Sequence, residues 1–80
     1  MPISPVKLDS TAIDVNVVDD RLVVTLADGR ELAVPLAWVP RLLEATPEQR
    51  RNWRFIGRGL GIHWPDIDED VSVASLLRAA

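Results

Sequence analysis

Three short runs of alternating apolar residues, separated by turns of defined length, constrain this chain more than any other feature. Their apolar sets are Ile13, Val15, Val17, then Leu22, Val24, Leu26, then Leu32, Val34. Alternation of this kind reads as half-buried strands. A two-residue turn at Asp19-Asp20 pairs Val17 with Leu22, Val15 with Val24 and Ile13 with Leu26, which puts all six on one face. For the next hairpin, a two-residue Asp28-Gly29 loop would place Leu26 opposite Glu31 and scatter the apolar face. A three-residue Ala27-Asp28-Gly29 loop, with Gly29 left-handed in a bulge, pairs Val24 with Leu32 and Leu22 with Val34 instead. The bulged hairpin is the reading that agrees with the pattern. Pro35 then ends the third strand, because it cannot donate to a ladder.

Eighty residues make one domain, read as residues 1-80 with the first ten loosely ordered. Apolar residues are 48% and charged residues 26%, the balance of a folded chain rather than a disordered one. No Cys is present, so there is no disulfide framework, thiolate nucleophile or Cys-based zinc site. Met1 to Pro5 lacks the basic and apolar regions of a signal peptide, and no apolar run approaches a membrane span. The expected location is cytoplasmic, with no membrane partner.

The second half reads as helical, then extended. Ala37 to Ala45 is a short helix with Pro40 in its first turn and with Trp38, Leu42 and Ala45 on one face. Thr46 as N-cap, Pro47 at the first helical position and Gln49 at the capping-box position start a second helix. Its spacing carries it from Pro47 to Phe55 or Ile56 and stops it at Gly57. Trp53 and Ile56 then face the sheet, while Arg50, Arg54 and Arg58 face water or a partner. Ile62-His63-Trp64 is one further strand, and Ser72 caps a final helical turn or two carrying Leu76 and Leu77. The expected fold is α+β: a three-stranded antiparallel meander covered on one face by two short helices, a two-layer sandwich completed by a C-terminal strand and helical turn.

The stretch from Trp53 to Val73 concentrates two of the three Trp residues, the only His and four carboxylates. No catalytic, cofactor or metal site emerges from it. Gly57, Gly59 and Gly61 leave a helix and enter a strand, the reverse of a phosphate-binding loop. Asp66, Asp68 and Asp70 imitate the start of a calcium loop, but Val71 stands where its glycine belongs and Leu77 where its bidentate carboxylate belongs. One imidazole, His63, beside Asp66 or Asp68 is a weak basis for a metal site or for catalysis without a nucleophile. It is read as a His that hydrogen-bonds a neighbouring carboxylate and packs against Trp64. The chain is read as not an enzyme.

The net charge of −3 is unevenly spread. Residues 41 to 58 carry five basic and two acidic groups, and residues 66 to 70 carry four acidic ones. An acidic total argues against general nucleic-acid binding. Arg50, Arg51, Arg54 and Arg58 form a basic helix stripe that is either solvated or a face for nucleic acid or a second partner. Both patches on so small a body favour protein binding.

Set in order, Trp38-x-Pro40-x-Leu42, Ala45-Thr46-Pro47-Glu48-x-Arg50, Trp53, Gly57-x-Gly59-x-Gly61-Ile62-His63-Trp64-Pro65, Asp68-Glu69-Asp70 and Leu76-Leu77 resemble a small bacterial family, domain of unknown function 2442. With the Asp28-Gly29 hairpin, the resemblance spans residues 12 to 78 or so. It implies a two-layer α+β domain that stands alone or precedes a helix-turn-helix domain, for which 80 residues leave no room. It further implies an antitoxin-like role in a toxin–antitoxin pair, with a small co-encoded protein as partner. The family carries no agreed catalytic residues. The expected partner-binding residues are His63, Trp64, Asp68, Glu69 and Asp70, with Trp64 as aromatic anchor and the acids steering a basic partner. The alternative is a transcriptional regulator or nucleic-acid-linked adaptor that uses the arginine face, with DNA contacted only within a complex.

Overall fold

The structure, a computed structural model, describes residues 7–79. Strands β1 (Ala12–Val18), β2 (Arg21–Leu26) and β3 (Glu31–Pro35) form an antiparallel meander in that order. Val17 lies opposite Leu22 and Val15 opposite Val24, as the two-residue turn requires. The second hairpin pairs Val24 with Leu32 and Leu22 with Val34. Its loop is closed by the Leu26 N–H bonding the Arg30 carbonyl at 2.8 Å. Gly29 sits in this loop at φ +94°, so the bulged form is the one adopted.

Asp28 locks the loop from within. Its carboxylate accepts from Arg30 Nε at 3.0 Å, pairs with Arg30 Nη2 at 2.8 Å and accepts the Asp9 N–H at 2.9 Å. Its side chain is 2% exposed. The Arg30 side chain, then the Asp9 N–H, hold the carboxyl down to about 2 from its ordinary 3.8. The same bonds pin the incoming chain, with Arg30 Nη2 also donating to Ser10 Oγ at 2.9 Å. Of the segment expected to be loose, Asp9 and Ser10 are therefore fastened, and residues 1–6 lie outside the described residues.

One expected pair in β1 is not formed. A bulge between Ala12 and Asp14 puts Ala12, not Ile13, opposite Leu26, and Ile13 turns outward with 58% exposure. The start of β1 is crowded by the turn at Gly57–Gly59: a Cβ on Gly59 would stand 2.6 Å from the Ala12 carbonyl oxygen. The small residue takes the inward position, and the bulge re-aims the large one.

After β3 the buried residues fall every third position, at Leu36, Val39, Leu42 and Ala45. A 3-10 turn (Leu36–Trp38) and helix α1 (Pro40–Leu43) produce that spacing, with Pro40 at the start of α1. Trp38, expected on the buried face with Leu42, falls out of phase and is 49% exposed. Helix α2 (Pro47–Arg51) begins as expected, with the reciprocal Thr46–Gln49 capping box and Pro47 in place.

It ends sooner than the spacing predicts. Asn52 leaves helical geometry at φ −92°, ψ 82°, and its side chain donates to Asp66 Oδ2 at 3.0 Å. Residues 54–56 then form β4 (Arg54–Ile56), paired with β5 (Gly61–Trp64), which in turn pairs with β6 (Glu69–Ser72). The expected single C-terminal strand is thus the centre of a second three-stranded antiparallel sheet, ordered β4-β5-β6. Trp-Arg-Phe-Ile suits either period, because aromatic and β-branched residues favour strands whenever a neighbouring strand is supplied. Of the acidic run, Glu69 and Asp70 lie in β6, while Asp66 and Asp68 lie in and just after the 3-10 turn Pro65–Ile67. Helix α3 (Val73–Ala79) follows, with the Ser75 N–H bonded to Ser72 Oγ at 3.2 Å, the cap expected there.

The architecture is α+β, two small antiparallel sheets with short helices. A single core joins Leu22, Val24, Leu26 and Val34 of the first sheet to Ile62, Trp64 and Val71 of the second, with Leu36, Leu42 and Leu76. The two central helices were expected to cover the first sheet, yet α2 buries no residue. Among the described residues, no helix is long and apolar enough to cross a membrane.

Candidate interaction surface

Alternation along β5 separates its side chains into two sets. Ile62 and Trp64 point into the core and are 0% exposed, whereas Gly61 and His63 belong to the outer face. Trp64 is therefore a core residue and presents nothing to a partner, which corrects its expected role as an exposed anchor. Nor does His63 pack against it, since consecutive strand residues face opposite ways. Trp53, expected to face the sheet from the second helix, lies beyond the end of α2, is only partly buried and sits against Phe55 with ring centroids 4.9 Å apart.

The pairing of the second sheet sets Arg54, His63 and Asp70 in one row across its three strands. His63 Nδ1 contacts Asp70 Oδ1 within this row. The carboxylate next to the imidazole is thus Asp70, whereas Asp66 is engaged by Asn52. The neighbouring outer row is Ile56, Gly61 and Ser72, and the Ile56 side chain lies across the bare Gly61. A Cβ on Gly61 would stand 2.9 Å from Ile56 Cγ1. Leu60, in the preceding turn, is 64% exposed and Ile56 is 38% exposed. The face thus sets a cation, an imidazole and an anion beside two exposed aliphatic side chains.

The remaining expected residues scatter. Asp68 caps the 3-10 turn at Pro65–Ile67 with φ 49°, and Glu69 lies 4.0 Å from Arg41 Nε. Arg41 Nη1 also donates to the Asp68 carbonyl at 2.9 Å, so α1 holds this end of β6. The basic stripe does not exist as a single helix face. Arg50 and Arg51 are on α2, Arg54 is on β4 and Arg58 is in the following turn with φ 58°. Arg50 is moreover committed: its Nε donates to the Leu42 carbonyl at 2.9 Å and its Nη2 to the Leu43 carbonyl at 2.8 Å, the free end of α1.

Sequence reasoning missed the exposed Ile56, Leu60 and Trp38. For Ile56 a signal was present, since a two-residue period over Trp53 to Ile56 would have turned it outward beside Arg54. Nothing local marked Leu60 or Trp38.

Residues 12–80 match the model of the family described as "Protein of unknown function (DUF2442)", and the chain belongs to that family. The fold is similar to a crystal structure of a protein of unknown function from Rhodospirillum rubrum, with TM-score 0.75, 27% identity and 86% of each chain covered. It is also similar to the solution structure of an uncharacterised protein from Chromobacterium violaceum, with TM-score 0.73 and 33% identity. That match covers 85% of this chain and 64% of the other, so this chain spans a little under two thirds of that protein's length. No curated protein matches the sequence.

Proposed function

We propose that this member of the family is a protein-binding module without catalytic activity of its own, the antitoxin-like partner of a small co-encoded protein. The observation that carries the reading is the outer face of the second sheet. Ile56 and Leu60 expose apolar surface beside the Arg54, His63, Asp70 row. An apolar centre rimmed by charge is the composition of a protein interface. Two patches that lie apart in the sequence, the arginines and the acidic signature, contribute one residue each to this face, Arg54 and Asp70.

The test is co-expression with the product of the neighbouring gene. That product alone should arrest growth, and this chain should relieve the arrest and co-purify with it at fixed stoichiometry. Ile56→Ser and Leu60→Ser should weaken the complex while the isolated chain stays folded. A harmless neighbour, or an arrest that co-expression leaves unrelieved, rejects the role.

The nucleic-acid-linked alternative has less in its favour. Arg50 is occupied by α1, and Arg51, Arg54 and Arg58 come from a helix, a strand and a turn. A salt-dependent mobility shift of promoter DNA by the complex, lost on reversing those three charges, would restore it.

A further inference from the structure

A different surface runs along β6, and its character follows from the ladder. In an antiparallel pair, bonded and non-bonded residue pairs alternate. The Val73 N–H donates to the Leu60 carbonyl at 3.0 Å, one pair beyond Gly61 and Ser72. That bond sets the phase: Val71 and Glu69 turn their backbone toward β5, and the N–H groups of Asp70 and Ser72 turn outward. Among the described residues neither N–H has a hydrogen-bond partner.

The other edges are each blunted at some positions. On β1, the outward N–H groups of Val15 and Val17 are bonded by the side chains of Asp14 at 2.9 Å and Asn16 at 3.1 Å. Strand β3 ends in Pro35, which has no donor, and β4 is three residues long. These are ordinary ways of blunting an edge. Strand β6 is also short, but it has no proline and no side chain bonded to its outward N–H groups.

Beside β6 lies a groove. Its lining includes Glu69, Asp70 and Ser72 of β6, Trp38, Val39 and Pro40 at and before the start of α1, and Ser75 and Leu76 of α3. Trp38, 49% exposed, thus shares the groove with the strand edge, and the charged residues among the lining are both acidic.

We propose that this groove takes an extended basic segment of the partner protein, added as a strand along β6. The inference rests on the protein-binding role given above. The Asp70 and Ser72 N–H groups donate to carbonyls of the added strand, Glu69 and Asp70 receive its Lys or Arg side chains, and an apolar side chain packs on Trp38. Backbone pairing supplies affinity, and the acidic and aromatic walls supply selectivity.

The probe is a random nonapeptide library displayed on phage and selected on the folded protein, with recovered peptides synthesised. They should alternate basic and apolar residues and slow amide hydrogen exchange at Asp70 and Ser72. Asp70→Pro removes one outward donor at a position where an edge strand accommodates proline. It should weaken peptide binding about tenfold, the worth of one hydrogen bond. Asp70→Asn, which keeps the donor, should weaken it less, and Trp38→Ala should weaken it while leaving β6 intact. Recovery of no peptide, or of peptides that leave both amides exchanging as before, overturns the proposal. Because the probe is not the co-encoded protein, the two readings fail separately. Growth rescue without peptide protection rejects the groove alone, and peptide protection without growth rescue rejects the antitoxin-like role alone.

Discussion

The indole N–H of Trp64 donates to the Arg50 carbonyl at 3.1 Å, across 14 residues of chain. The bond satisfies the one polar atom of a side chain that is 0% exposed, and it ties β5 to α2. Arg50 in turn holds the carbonyls of Leu42 and Leu43. A continuous set of contacts thus runs from the second sheet through α2 to α1.

Trp64→Ala should therefore lose about 3 to 5 kcal/mol of stability, a large share of what a domain this size holds. Trp64→Phe keeps most of the packing but leaves the Arg50 carbonyl without its donor, a loss of about 1 to 3 kcal/mol. Trp53→Ala should be milder than Trp64→Ala, because Trp53 is only partly buried. Urea unfolding of the three variants checks the order, and equal losses for Trp53→Ala and Trp64→Ala would contradict it.

Arg50→Ala should cost roughly 1 to 3 kcal/mol, because it removes both donors from the end of α1. Arg50→Lys should recover only part of this, since a lysine lacks the planar fork that reaches two carbonyls at once. Arg51→Ala, at an exposed position on the same helix, should stay within about 0.5 kcal/mol of the parent. If the two alanine variants melt alike, Arg50 is an ordinary surface arginine.

Gly29 and Gly59 both require positive φ, at +94° and +87°. They differ in surroundings: a Cβ on Gly29 meets nothing within 4 Å, whereas one on Gly59 meets the Ala12 backbone. Gly29→Ala should cost about 1 to 2 kcal/mol, the price of the left-handed conformation alone. Gly59→Ala should cost more, and it should disturb the amide resonances of Thr11 and Ala12. Thermal unfolding with a two-dimensional amide spectrum of each variant separates the effects.

Asp28 predicts a pH dependence. Its folded carboxyl is held at about 2, below the ordinary 3.8, by Arg30 first and by the Asp9 N–H. A depressed carboxyl stabilises the fold above its unfolded value, and this contribution fades as pH falls through the folded value. The stability difference between the parent and Asp28→Asn should thus be flat above roughly pH 4 and narrow toward pH 2. A difference unchanged down to pH 2 would show that the loop does not depend on the ionised carboxylate.

The first meander was legible because its information is local. Turn length and apolar alternation lie within a few residues of each other, so Val24 opposite Leu32 could be worked out with the rest of the fold unknown. The Thr46–Gln49 capping box and the Ser72 cap are local in the same sense. The bulge that expels Ile13 was not, because it depends on Gly59 closing against Ala12 across 47 positions of sequence. Nor was the conversion of Arg54–Ile56 to strand, since the run suits either period and what decides between them is pairing with β5, itself the centre of a sheet completed by β6. The candidate surface divides the same way. Composition marked His63, Asp70 and the arginines as unusual, but only the pairing of three strands placed Arg54, His63 and Asp70 in one row. Which tryptophan is buried was a tertiary decision too. Sequence neighbours do not rank them, since Trp38 lies between Ala37 and Val39 yet is 49% exposed, whereas Trp64 follows His63 and is buried; only Trp64 stands on the inner face of a central strand, where the core encloses the indole and a carbonyl receives its N–H.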